Sequence, residues 1–238
     1  KLNSSYKSLQ EGKLSQAVQS AKTSRQLFVS SQKMLGFLSY HFSLFGRQND
    51  RENIFRLLKI GEDASSTTVS LVNTASFLGE FFKKSITGEG REAKPALDRA
   101  IAELSSAALA LPILDKELVQ IQTTSLPGQI KAYAKNKQEL LSEYSETISL
   151  AQNFASLLPD LVGFDDKRVY LVLLQNNMEL RPTGGFIGSY GLLIFENGSL
   201  SSFDVFDVYS ADGQLKGHVD PPIPIRKYLN QPNWFLRD

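Results

Sequence analysis

The chain has 238 residues, no cysteine, two histidines, and 26 basic against 25 acidic residues. At 42% hydrophobic and 21% charged it can bury a sizeable core, which excludes disorder, collagen and a disulfide scaffold. Without Cys, and with His41 and His218 far apart, zinc-finger, iron–sulfur and thiol-nucleophile chemistry is excluded. A net charge of +1 gives no electrostatic footprint for nucleic acid.

No apolar run approaches the roughly 20 residues that a membrane-spanning helix needs. The chain opens on Lys1 rather than Met, so an upstream segment is expected to have been removed, with room there for a signal or an anchor. A cysteine-free sequence suits an exported bacterial protein as well as a cytosolic one. Proline and glycine divide the chain. They are sparse up to Leu158 and cluster in the last 80 residues, so long helices are expected first and not afterwards.

A short helix over Leu2–Glu11 ends at Gly12. From Leu14 the seven-spaced row Leu14, Ala21, Phe28, Leu35, Phe42 is apolar throughout and predicts a helix over residues 14–45. A second stripe, Ile54, Leu57, Gly61, Ala64, Thr68, Leu71, Ala75, Leu78, Phe82, predicts a helix over 50–86 with Asp50 as its cap. Thr87–Gly90 is a turn. Further helices are expected over 92–122, bent at Pro112, and over 126–158, capped by Ser125 and stopped by Pro159. Narrow seams of this kind pack helices nearly antiparallel. The exposed faces are read as Ser-, Thr-, Gln- and Asn-rich, which argues against a membrane-surface helix. His41, among Tyr40, Phe42 and Phe45, is read as core or interface packing.

From Arg168 the period changes. Val169–Leu174 is apolar on both alternating sets, as a strand covered on both faces would be. Phe186–Phe195 and Leu200–Tyr209 are two more strands, joined through Asn197-Gly198, a strong type I′ hairpin signal. A two-residue loop there sets Tyr190 opposite Val205, Leu192 opposite Phe203, Gly188 opposite Asp207 and Gly191 opposite Asp204. An aspartate facing a glycine leaves a gap over the sheet. Pro221–Pro224 is expected to be extended, and the segment after Asp212 irregular and close to the sheet edge.

The loop Gln175–Gly185 lies between apolar strands. Its Gly184-Gly185 amides could form an anion nest, with Arg181 as a bidentate donor beside it. The other job for Arg181 is structural, bound to Glu179, Asp204, Asp207 or loop carbonyls. Pro182 extends the backbone, so Arg181 and Thr183 should leave opposite sides of the chain.

The string Asn176-Asn177, Glu179-Leu180-Arg181-Pro182-Thr183-Gly184-Gly185-Phe186-Ile187-Gly188-Ser189-Tyr190-Gly191, with Asp207-Val208-Tyr209 and Leu236-Arg237-Asp238, resembles a bacterial family. That family is catalogued only as domain of unknown function 4012. The resemblance implies an outward-facing envelope protein, with a membrane-anchoring helix upstream of the helical region and more of the same domain after Asp238. The order of strand, Arg-containing loop, paired strands and Arg-Asp is also similar to the LytR–CpsA–Psr phosphotransferases. That analogy implies Arg181 and Arg237 on the phosphates of a polyprenyl pyrophosphate, and Asp207 or Asp238 on magnesium.

The expected fold is α+β: a long antiparallel helical bundle over residues 1–160, then a small antiparallel β-rich domain over 165–238, cut short or completed by another chain. The expected function is a non-catalytic, extracytoplasmic envelope module for interaction or assembly, needing no cofactor, with an envelope protein or glycan as partner. The alternative is a polyprenyl-phosphate-binding glycopolymer phosphotransferase using magnesium. Candidate ligand residues are Arg181, Thr183, Gly184, Gly185, Asp207 and Arg237.

Overall fold

Long helical stripes and short apolar alternations separate cleanly along the chain. The computed structural model describes every residue except Thr123, Ser125, Pro182 and Thr183, and the side chains of Tyr6, Leu9, Gln10, Leu140 and Glu143. Its elements are α1 (Leu2–Gln10), α2 (Leu14–Phe37), α3 (Ser39–Leu44), α4 (Gln48–Ile86), α5 (Gly90–Gln122), α6 (Gly128–Leu161), β1 (Arg168–Asn176), β2 (Phe186–Glu196), β3 (Ser199–Asp207), α7 (Val208–Asp212) and α8 (Ile223–Leu229). The class is α+β, long helices followed by a three-stranded antiparallel sheet of order β1-β2-β3. Two compact units result: residues 1–83 with 93–158, and residues 84–92 with 159–238.

In the helical unit, consecutive long helices run antiparallel. Ser65 donates to Ser24 at 3.2 Å and the Phe28 ring lies against Gly61, which sets α2 against α4. Asn73 donates to Glu103 at 2.9 Å and Arg56 to Gln120 at 3.4 Å, which sets α4 against α5. Leu104 and Leu111 of α5 bury with Ile148 and Ala155 of α6, and Leu118 and Ile121 with Ala134. At about 1.5 Å per residue the 39-residue α4 is about 58 Å long.

Several expectations need correcting here. The helix over 14–45 breaks at Leu38 into α2 and α3, and beyond Leu35 its apolar residues stand exposed except for the half-buried Phe42. His41 is exposed, edge-on to Tyr40, and is not core. Asp50 falls inside the first turn of α4 rather than at its cap and pairs with Arg47 at 2.6 Å. The α4 stripe is displaced: Ile54 and Phe82 are exposed, while Ser65, Thr67, Val72, Thr74 and Phe81 are buried. α4 packs on α2 and on α5 at once, so one narrow stripe cannot describe it. Its buried hydroxyls belong there because each bonds a carbonyl one turn back: Ser65 to Gly61, Thr67 to Asp63, Thr74 to Ser70. The Ser125 cap lies outside the described residues. α6 passes Pro159 and ends at Leu161, its last carbonyls held by Arg168 Nε (3.1 Å, Asp160) and Tyr170 OH (2.7 Å, Leu161).

In the β unit, Asn197 (φ 51°) and Gly198 (φ 77°) make the expected primed turn. Gly198 also donates to the Val162 carbonyl at 3.1 Å and lies under the Phe164 ring, where a Cβ would collide. The start of α5 touches the same turn, Gly90 N donating to Ser199 Oγ at 2.6 Å. Register follows the turn for only two pairs, Glu196↔Ser199 and Phe195↔Leu200. A β-bulge then moves it by one residue, to Ile194↔Ser202. Tyr190 therefore faces Phe206, Leu192 faces Asp204, Gly191 faces Val205 and Asp207 faces Ser189. The Gly188–Asp207 and Gly191–Asp204 gaps do not exist, and the Phe203 ring covers Gly191. β3 stops at Asp207, not Tyr209. Pro224 sits at the second position of α8, where a missing N–H is harmless, so Pro221–Pro224 is not wholly extended. The rest of the tail is irregular, and the Arg237 carbonyl takes the Ile187 N–H (3.0 Å) where β3 has turned away.

Candidate functional site

The motif begins where β1 ends. Asn176 Oδ1 accepts from Met178 N at 3.0 Å and its amide donates to Glu179 at 3.2 Å, a local Asx turn that reverses the chain. Met178 and Leu180 then stand almost fully exposed. Gly184 N–H donates to the Arg181 carbonyl at 3.0 Å, so that amide closes a turn. Gly185 is buried, and its carbonyl accepts from Gln175 Nε2 at 3.0 Å.

The Arg181 guanidinium lies 5.1 Å from the Phe186 ring centre and 3.5 Å from Asp238 Oδ1. The Asp238 carboxylate is fully buried and also receives the Gln231 amide at 2.6 Å, with that amide turned nitrogen-first. Next to it Arg237 donates to Asp212 Oδ2 at 3.0 Å, while Asp212 Oδ1 takes the Leu236 N–H at 2.8 Å. The Arg237 guanidinium is layered between Phe235, at 4.1 Å, and Tyr209, at 5.5 Å. Asp207 turns away and caps α7, accepting from Tyr209 N at 2.8 Å.

The structure thus brings Arg181 to Asp238 and Arg237 to Asp212, and joins the two pairs through consecutive residues of the chain end. Among the described residues, Asp207 bonds within its own turn, to Tyr209 and Ser210. Gly184 and Gly185 border the two pairs, and Thr183 lies outside the described residues. Among the described residues Arg181 pairs with none of Glu179, Asp204 and Asp207. Its partner is the Asp238 that the sequence reading held for magnesium. Asp212 and Gln231 are not among the candidates that the sequence offered. Both act on groups many residues away, so no local pattern announces them.

Two concavities adjoin this unit's sheet and tail. One, of about 580 Å³, is lined by Glu89, Arg91, Glu92, Glu196, Ser199 and Ser201. The other, of about 220 Å³, lies beside the Arg–Asp pairs between Leu215, Trp234, Phe235 and Asp212. Among the described residues no group of three or more His, Asp or Glu is placed to hold a metal ion.

Fold and site together define an α+β protein in which two arginine–aspartate pairs tie the loop before β2 and the helix after β3 to the last residues of the chain. Residues 165–235, the C-terminal third, match the family model described as Protein of unknown function (DUF4012). No curated protein and no solved structure matches the chain.

Proposed function

We propose that this chain is a non-catalytic, extracytoplasmic module of a bacterial cell envelope that works by binding or assembly through its β unit. The observation that carries the reading is the asymmetry of the two sheet edges. β3 is blunted by its bulge and by Asp204 and Asp207, two devices that discourage strand pairing. β1 has neither charge nor proline after Arg168, and Val169, Leu171, Leu173 and Leu174 are each about half exposed. An edge uncharged over the eight residues after Arg168, with apolar side chains on both faces, suits the addition of an extended segment. Arg181 and Arg237, which the phosphotransferase alternative needs on a phosphate, both face aspartates here.

Location and binding are tested separately. The chain has no cysteine, so Ser30→Cys introduces a single thiol at an exposed position of α2. A membrane-impermeant maleimide should label it in intact producing cells; labelling only after lysis would overturn the location. A photo-crosslinking residue at Val169 should give one discrete adduct in cells, lost with Leu171→Lys. Without such an adduct the binding role fails.

A further inference from the structure

One end of the helical unit departs from the polar surface expected of it. The antiparallel contacts bring together the end of α2, α3, the start of α4, the end of α5 and the start of α6. At this end Met34, Phe37, Tyr40, Leu44 and Phe45 are exposed, Phe37 at 85% and Phe45 at 72%. Five residues this large and this exposed stand within twelve positions of the chain, on α2, α3 and the residue after α3.

Charge says what such residues meet. From Gly12 to Asn49 the chain has five lysines and arginines and not one acidic residue, and Leu118–Gln138 has three lysines and again no acid. Over the two segments that build this end, 33–56 and 118–138, seven Lys and Arg stand against two Asp and Glu. The rest of the chain carries 19 against 23. These two segments are net positive within a nearly neutral chain, with Glu62, Glu117 and Glu139 at their borders. Lys33, Arg47, Arg56 and Lys135 are exposed there, and one of the two acids, Asp50, is already paired with Arg47.

We propose that this end of the helical unit docks on the surface of an anionic phospholipid membrane. Aromatic and aliphatic side chains enter the headgroup boundary while lysines and arginines meet phosphates around them. Tyr133, with the Lys137 ammonium 5.4 Å from its ring centre, pairs the same two chemistries on α6. A protein partner or a second copy would also cover apolar side chains. An excess of cations in the segments of this end, however, would repel a second copy of itself and complements a uniformly anionic lipid surface. The contact is peripheral and needs no spanning segment.

The test is co-sedimentation of the 238-residue chain with phosphatidylcholine vesicles, with and without phosphatidylglycerol. Binding is expected to be at least about tenfold tighter on the anionic vesicles and to weaken with salt. Lys33→Gln with Lys135→Gln should cost roughly thirtyfold on anionic vesicles. Phe37→Ser with Phe45→Ser should cost more than about tenfold. All four positions are exposed, so circular dichroism should be unchanged. Leu150→Ser with Leu157→Ser, an exposed apolar pair elsewhere on α6, should bind like the parent. No vesicle binding, or an equal loss in that control pair, overturns the proposal. So does a dimer in analytical ultracentrifugation that Phe37→Ser with Phe45→Ser dissolves while vesicles bind nothing.

Discussion

Three buried hydroxyls of α4 each find an acceptor within their own helix, whereas the arginines of the β unit are answered from far along the chain. In the helical unit Ser65, Thr67 and Thr74 bond carbonyls four residues back, inside the helix that carries them. In the β unit Arg237 reaches Asp212 across 25 residues, Gly90 reaches Ser199 across 109, and Arg181 meets the last residue of the chain. A helix that answers its own donors can pack against several partners with modest specificity. A thin three-stranded sheet cannot bury enough apolar surface alone, and charged cross-links between remote segments complete it. The helical unit should therefore tolerate polar changes and resist loss of volume, and the β unit should do the reverse.

The only tryptophan, Trp234, stands in the β unit beside Asp212, so its fluorescence reports that unit, while ellipticity at 222 nm is dominated by the helices. The largest expected effect is in the first unit. Leu111→Ala, in the buried cluster with Leu104, Ile148 and Ala155, should cost about 3 kcal/mol and lower the 222 nm midpoint. A Trp234 transition that falls as far would mean the units unfold as one. Asp212→Ala strips Arg237 and the Leu236 amide of their acceptor and should cost about 2–3 kcal/mol, read by Trp234 and hardly by 222 nm. A silent Trp234 transition would show that the two Arg–Asp pairs do not fasten the sheet.

Gly198→Ala tests the turn beneath Phe164. Positive φ and the collision with the ring should together cost about 1–2 kcal/mol, again in the β unit. An unchanged midpoint would mean the turn relaxes freely.

The smallest effects are in pH. Both ring nitrogens of exposed His218 face acceptors, Asp220 at 3.1 Å and Asn233, and these raise its pKa above the ordinary 6.5, Asp220 first. The folded state holds that proton more tightly than the unfolded one. The contribution is therefore present below pH 6.5 and lost as pH rises through the folded value. His218→Gln should flatten this slope in the Trp234 midpoint. In the helical unit burial raises Glu117 above its usual 4.5, helped by Asp63, and its Oε2 has no hydrogen-bond partner among the described residues. An acid raised on folding destabilises as it ionises, so the 222 nm midpoint should fall as pH rises above 4.5. Glu117→Gln should remove that fall. A parent chain whose two probes share one pH profile would erase the contrast.

The sequence by itself determined the helices, the type of turn and the class of fold. Seven-residue rows such as Leu14, Ala21, Phe28 and Leu35 are local patterns, and positive φ at Asn197 and Gly198 is a local preference. What only the tertiary structure decided was which side each residue faces and what it meets. The α4 stripe failed because two neighbouring helices bury α4 from two sides. The register failed because one extra residue in β3 moves every later pair while leaving the turn intact. Arg181 and Arg237 were legible as special residues, yet their partners were not. Asp238 and Asp212 reach them only after the chain end returns to the sheet, and an ion pair between segments so far apart leaves no spacing to read.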